Sequence, residues 1–169
     1  METMKGVSII RVNALLTALF LATAVLAAIF FDQPWKAIAV AVSLFTFTVG
    51  VVAFLWGYWT AVQRSREDNI SVAALYFLID GCAPQSVARR MNGLLAVQVI
   101  GGLATALARP STGADRGSTL AFGILVPMMG LGLNGLWGAY HGTFSPRNSR
   151  ADAEVPVQDV EIEKDGDHD

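Results

Sequence analysis

The sequence predicts an all-α membrane protein: a four-transmembrane-helix bundle, a short interfacial helix between the second and third spans, and a disordered acidic C-terminal tail. Three observations carry this. First, the 169-residue chain is 53% hydrophobic and 15% charged, whereas a soluble domain carries about 25% charged residues. Second, Val12–Phe31, Ala37–Gln63, Met91–Ala108 and Gly117–Tyr140 contain no Asp, Glu, Lys or Arg. Each is close to, or longer than, the roughly 20 residues that cross a hydrocarbon core of about 30 Å. Third, these stretches lack the polar face through which a helix of a soluble bundle meets water. The expected spans run over about 11–31, 36–63, 84–108 and 118–141, with the interfacial segment at 69–80, in a membrane domain covering 1–150.

The first span follows Lys5 and Arg11 and contains Ala22-Thr23-Ala24, a pattern resembling a signal-peptide cleavage site. Its apolar run continues to Phe31, well past a signal core of about 7–15 residues, so it is expected to remain as a helix. Ala14, Ala18 and Ala22 give it a small-residue face at four-residue steps. The second span aligns Ser43, Thr46, Gly50, Gly57 and Ala61 on one side. Next comes Asn69–Asp80 (NISVAALYFLID), apolar but twelve residues long. That is too short to cross, and it suits an interfacial or re-entrant piece. Asp80 is expected to cap the turn at Gly81. Pro84 is expected to open the third helix, since its fixed φ suits the first helical position. Arg109-Pro110 is expected to close that helix, because proline disfavours the α conformation at the residue before it. Along it, Gln98, Gly101, Gly102 and Thr105 gather on one side.

The fourth span raises its own question. Residues 123–142, GILVPMMGLGLNGLWGAYHG, hold six glycines and a proline yet no charge. In water each interior glycine costs a helix about 1 kcal/mol against alanine, and proline about 3. Within lipid, helices associate through close packing and interhelical hydrogen bonds, and small residues mark the contact faces. At 100° per residue, Gly123, Pro127, Gly130, Asn134, Gly138 and His141 fall within an arc of about 80°. That stripe is expected to face the bundle, with Pro127 kinking the helix. Leu125, Met129, Leu133 and Leu136 are expected to face lipid, and Gly132 and Gly135 fit neither side.

Orientation follows from the basic residues. Four crossings put Lys5, Arg11, Arg64, Arg66, Arg89, Arg90, Arg147 and Arg150 on one side, and Lys36, Arg109 and Arg116 on the other. The richer side is expected to be cytoplasmic, with both termini there. Trp35, Trp56, Trp59 and Trp137 fall near span ends, where amphipathic rings favour the headgroup level. The tail, Ala151–Asp169, holds eight acids and one lysine and too little apolar surface to offset its ordering entropy. It is expected to be solvated, or to dock a basic partner.

The run Leu120–Phe144, LAFGILVPMMGLGLNGLWGAYHGTF, resembles the last membrane helix of a group of small uncharacterised actinobacterial integral membrane proteins. The stretch with Pro84, Arg89-Arg90 and Arg109-Pro110 is more loosely similar. The resemblance implies a bacterial cytoplasmic membrane and no particular chemistry.

Little in the chain points to catalysis. No acid or base lies within the four uncharged stretches, which argues against a proton relay. No phosphate-binding loop or His/Cys metal cluster is present, and a haem held by two helix histidines is not supported, since His168 lies in the tail. No cofactor, metal or nucleic acid is expected. Cys82, Asp80 and His141 come near one interface, but a thiol nucleophile needs a positioned base and the spacing enforces none. Arg64, Arg66, Arg89 and Arg90 are expected to set topology or to meet anionic lipid or a partner, at about 1 kcal/mol each for lipid. Three functional readings result. The leading one is a non-enzymatic accessory or scaffold protein that packs against itself or another membrane protein. The alternative is a small transporter or channel subunit for a neutral or lipidic solute, using Ser43, Thr46, Gln98 and Asn134. The third is an enzyme acting on lipid near Arg89, Asp80 and His141.

Overall fold

The computed structural model describes residues 2–30, 32, 34–108 and 119–147. The acidic tail and the Arg109-Pro110 helix stop lie outside the described residues. The helices are α1 (Glu2–Phe30), α2 (Trp35–Arg64), α3 (Val72–Phe77), α4 (Gln85–Ala108), a 3-10 helix (Thr119–Leu125) and α5 (Pro127–His141). Two short strands, β1 (Asp68–Asn69) and β2 (Ser145–Pro146), pair antiparallel. Gly6–Phe30, Trp35–Arg64, Gln85–Leu107 and Ala121–His141 are each long and apolar enough to cross a membrane, and the chain reads as a membrane protein. α1 starts at Glu2 rather than near residue 11, because no proline interrupts the chain ahead of the apolar run.

α5 is the hub. It touches α1, α2, α3 and α4, and 56% of its span is buried against 22–33% for the other three. This corrects the expected lipid side of the last helix. Met129 is fully buried, Leu133 nearly so, and Leu125 and Leu136 are half-buried. A helix packed on several sides needs no lipid face, so its bulky residues fill the core along with its glycines. Gly132 and Gly135 thereby acquire a role. Gly132 lies against the Gly50 carbonyl of α2, and Gly135 against the Tyr76 ring of α3.

α2 buries Ala39, Ser43, Thr46, Gly50, Ala53, Gly57 and Ala61 in one stripe. A Cβ at Gly57 would come within 2.9 Å of the Gly135 and Leu136 backbone, and one at Gly50 would meet that of Met128 and Met129. Backbone approach of this kind is what joins helices where lipid supplies no hydrophobic drive.

α1 turns a different face inward than its alanines suggested. Asn13, Thr17, Phe20, Thr23, Ala24 and Ala27 are buried, while Ala14, Ala18 and Ala22 are exposed. The polar side chains decide this, because Asn13 and Thr17 find hydrogen-bond partners inside and alanine methyls lose little in lipid.

The last span changes helix type at Pro127, and Val126 between the two pieces keeps helical dihedrals. The 3-10 turn ends at Leu125, and Pro127 begins α5, where its missing N–H costs nothing. α3 falls within the segment expected to be interfacial or re-entrant, and one side of it packs on the bundle. Its Ala74, Leu75 and Tyr76 are buried against α5 and α2, and Ser71 caps its start by accepting from the Ala74 N–H at 3.0 Å. The chain then reverses through Leu78 (φ 50°), Asp80 (φ 58°) and Gly81 (φ 73°). The left-handed conformation costs a non-glycine residue about 1–2 kcal/mol. At Leu78 the burial of the side chain, 3% exposed, offsets that, since a buried leucine contributes about 1.5–3 kcal/mol.

Candidate functional site

Two clusters of hydrogen-bonded polar residues lie inside the helices. In the first, the Gln98 amide of α4 donates to Asn13 Oδ1 (2.9 Å) and Thr17 Oγ1 (2.7 Å) on α1. The Gln98 Oε1 accepts from the Gly130 N–H of α5 at 3.0 Å. Thr17 itself donates to the Asn13 carbonyl at 2.7 Å. Gln98, Asn13 and Asn134 are wholly buried. Gly130 lies in the first turn of α5. A side chain at position 130 would run into the Gln98 Oε1, so the glycine is what lets the amide reach the backbone.

In the second cluster, the Asn134 amide donates to the Tyr76 carbonyl (3.1 Å) and to Asn92 Oδ1 (2.9 Å). Asn92 donates in turn to the Phe77 carbonyl at 2.6 Å. Both asparagines thus satisfy the open carbonyls at the end of α3, which a helix C-terminus otherwise leaves unpaired. The Tyr76 hydroxyl donates to the Phe54 carbonyl of α2 at 3.1 Å, with the two rings stacked at 4.4 Å. Burial, with a lesser contribution from Tyr58, pushes the Tyr76 hydroxyl up to about 12.

Ser43, Thr46, Gln98 and Asn134 therefore do not meet at one site. Gln98 faces α1, and Asn134 faces α3. The Thr46 hydroxyl returns to the Val42 and Ser43 carbonyls of its own helix at 2.9 and 3.0 Å. Ser43 borders a void of about 10 Å³ shared with Thr105 and Gly123, at or below the room one water needs. Gly101 packs on Phe20 and Leu21, and Gly102 on the Gly123 carbonyl. Gly138 packs on the Leu75 carbonyl, where a Cβ would sit at 2.8 Å.

The end of the molecule carrying α3 is more polar. Arg64 donates to the Ala139 carbonyl (2.8 Å), to the Gly142 carbonyl (3.3 Å) and to Asp68 (2.9 Å). Its guanidinium lies 5.5 Å from the centre of the Phe144 ring. Arg64 thus caps the C-terminus of α5, where a cation suits the helix dipole. Arg66, Arg89 and Arg90 are exposed. Beyond α5 the chain is stitched back: the Thr143 N–H donates to the Cys82 carbonyl (2.9 Å), and the Arg147 N–H to the Glu67 carbonyl (2.8 Å). β1–β2 pairing completes the clasp.

At this end a cavity of about 580 Å³ lies between α1, the 81–84 turn and α5, and both Cys82 and His141 line it, whereas Asp80 and Arg89 do not. Cys82 is buried, its thiol donating to the Ala74 carbonyl at 3.1 Å. Burial, then the charge of Asp80, pushes the thiol up, which disfavours the reactive thiolate. Among the described residues, no group of His, Cys, Asp and Glu is arranged to hold a metal ion. Comparison with protein-family models, curated proteins and solved structures finds no match to this chain.

The sequence reading passed over Asn13, Thr17, Asn92 and Tyr76. For the first two a signal existed, since two polar residues four apart inside an uncharged span need partners in lipid.

Proposed function

We propose that this protein is a non-enzymatic packing subunit of a bacterial cytoplasmic membrane, an accessory or scaffold protein that associates with a second copy or another membrane protein. The observation that carries this reading is the internal pairing of most buried polar side chains, with Asn13 Nδ2, Asn134 Oδ1 and Trp137 Nε1 the exceptions among the described residues. Gln98, Asn13 and Thr17 bond to one another, Asn134 and Asn92 bond to the end of α3, and Arg64 bonds to the end of α5. That leaves the spans with apolar outer faces and little to hold a hydrophilic solute. On α1 the exposed face includes Ala14, Ala18 and Ala22, a small-residue spacing that permits close helix approach. The basic residues Arg66, Arg89 and Arg90 favour a cytoplasmic placement of their loop, with both termini on that side, and suit contact with anionic lipid.

The test is disulfide or bismaleimide crosslinking in native membranes from Ala14→Cys, Ala18→Cys or Ala22→Cys. A discrete product, absent when the cysteine is placed instead at exposed Val52 of α2, is expected. Monomer alone from all three positions, at normal abundance, rules the reading out.

A further inference from the structure

We infer that an anionic glycerophospholipid seats on this protein, with one acyl chain in the groove between α1, α2 and α5 and its phosphate on the Arg64 guanidinium at the polar end of that groove. This inference stands apart from the packing role. It concerns one built site, not the general attraction of exposed arginines for a charged leaflet.

The groove is lined by Phe45, Val49, Val52 and Trp56 of α2, Ile9 of α1 and Leu136 of α5. Its volume, about 730 Å³, lies within the roughly 300–1,000 Å³ typical of small-molecule sites. Phe45, Val52 and Trp56 are exposed, so the groove opens sideways, toward lipid in a membrane-spanning chain. From Phe45 to Trp56 it follows α2 for roughly 16 Å at about 1.5 Å per residue. One leaflet contributes about 15 Å to a hydrocarbon core of about 30 Å. The groove therefore has the length of one acyl layer.

Its far end is polar. A second hollow, of about 400 Å³, begins where the groove stops, and the two share Tyr140 and His141. Thr60, Arg64 and Gly142 also line this hollow. At the junction the Trp56 Nε1 donates to the Tyr140 hydroxyl at 2.8 Å, tying α2 to α5 across the seam. Amphipathic rings favour the headgroup level, so the junction marks the depth at which an acyl chain gives way to glycerol and phosphate. An apolar channel one leaflet long that leads into a polar hollow has the outline of a phospholipid. A helix from a second copy would fill the channel and have no use for the hollow.

Arg64 supplies the charge. A guanidinium carries five N–H donors, and three of these go to the Ala139 and Gly142 carbonyls and to Asp68. Two remain, on a side chain 34% exposed. The three existing bonds fix the group in place, and phosphate oxygens accept strong charge-assisted bonds from arginine. Along this edge Arg64, Arg66 and Arg147, the last held at the Ser65 carbonyl, outweigh Glu67 and Asp68. A net negative headgroup suits such an edge better than one with an added ammonium.

The experiment uses the full chain in dodecyl maltoside and native mass spectrometry with dioleoylphosphatidylglycerol, dioleoylphosphatidylethanolamine and dioleoylglycerol, which share their chains and differ in the headgroup. The phosphatidylglycerol is expected to bind one-to-one, more tightly than the phosphatidylethanolamine and at least about tenfold more tightly, about 1.4 kcal/mol, than dioleoylglycerol. Arg64→Met is expected to remove that preference among the molecules that remain folded. Thr48→Trp, which fills the middle of the groove from an exposed position, is expected to weaken all three about tenfold. The wild-type comparison needs no variant: phosphatidylglycerol bound no more tightly than either other lipid overturns the inference. So does an Arg64→Met or Thr48→Trp protein that binds like the wild type. A Thr48→Trp protein that splits a dimer and leaves lipid binding unchanged also overturns it, and gives the groove to a second copy.

Discussion

Replacing Gly132 by alanine adds one methyl group where α2 and α5 touch backbone to backbone. The new Cβ would run into the Gly50 carbonyl oxygen and lie 3.0 Å from the Gly50 carbonyl carbon and the Phe54 nitrogen. No side chain can swing aside, because every close neighbour belongs to the main chain, and the helices must move apart. Overpacking costs about 1–3 kcal/mol, and rigid neighbours place this site at the upper end. Helix propensity favours alanine by about 1 kcal/mol, which leaves a net loss of about 2 kcal/mol, or roughly 30-fold in the unfolding equilibrium. Gly93 on α4 is the control, for a Cβ there meets nothing within 4 Å. Gly93→Ala is expected to be neutral or stabilising by up to about 1 kcal/mol. Both variants would be unfolded from dodecyl maltoside micelles by sodium dodecyl sulfate, followed by far-ultraviolet circular dichroism. Equal midpoints for the two variants, or a Gly132→Ala protein as stable as the wild type, would refute the close α2–α5 approach.

Asn13→Ala and Gln98→Ala, measured singly and together in the same titration, should show a coupling of about 0.6–1.7 kcal/mol; additive effects would mean that the two amides do not bond. Arg64→Met removes the cap on Ala139 and Gly142 and should cost about 1–2 kcal/mol, less than a fully buried charged hydrogen bond because the side chain is 34% exposed. It should speed tryptic cleavage at Arg147 several-fold, whereas Arg66→Met, at an exposed position, should leave cleavage unchanged. The fold holds Tyr76 in its neutral form, with the hydroxyl pushed from 10.0 to about 12. Its contribution to stability is therefore complete below pH 10 and is lost as pH climbs to about 12. The 295 nm absorbance difference between wild type and Tyr76→Phe should develop near pH 12, and development at pH 10 would refute the burial of that hydroxyl.

Some of this architecture was legible in the sequence and some was not, for a physical reason. α2 packs on one side only, so its small residues at Ser43, Thr46, Gly50, Gly57 and Ala61 trace the contact directly. α5 packs on several sides, so one stripe captured Gly130, Asn134 and Gly138 but left Gly132 and Gly135 unexplained and sent Met129 and Leu133 to the wrong surroundings. Hydropathy separates inside from outside in water. In lipid both surfaces are apolar, and only size and hydrogen-bonding need tell them apart. That is why Ala14, Ala18 and Ala22 misled, while Asn13 and Thr17, one residue away in each case, held the information. The β1–β2 clasp and the carbonyl-capping roles of Arg64, Asn92 and Asn134 depend on where main-chain groups end up unpaired, which no side-chain pattern states.

The order of synthesis gives the position of α5 a further meaning. The helix that touches all the others is the last of the four spans to leave the ribosome. Until it arrives, the Gln98 Oε1 lacks the Gly130 amide, the α3 carbonyls lack Asn134, and the groove over Gly50 and Gly57 stands open. A chain lacking α5 thus presents an empty slot among its three other long helices. Truncation before residue 127 is expected to leave those groups unpaired and the remaining helices without their shared contact.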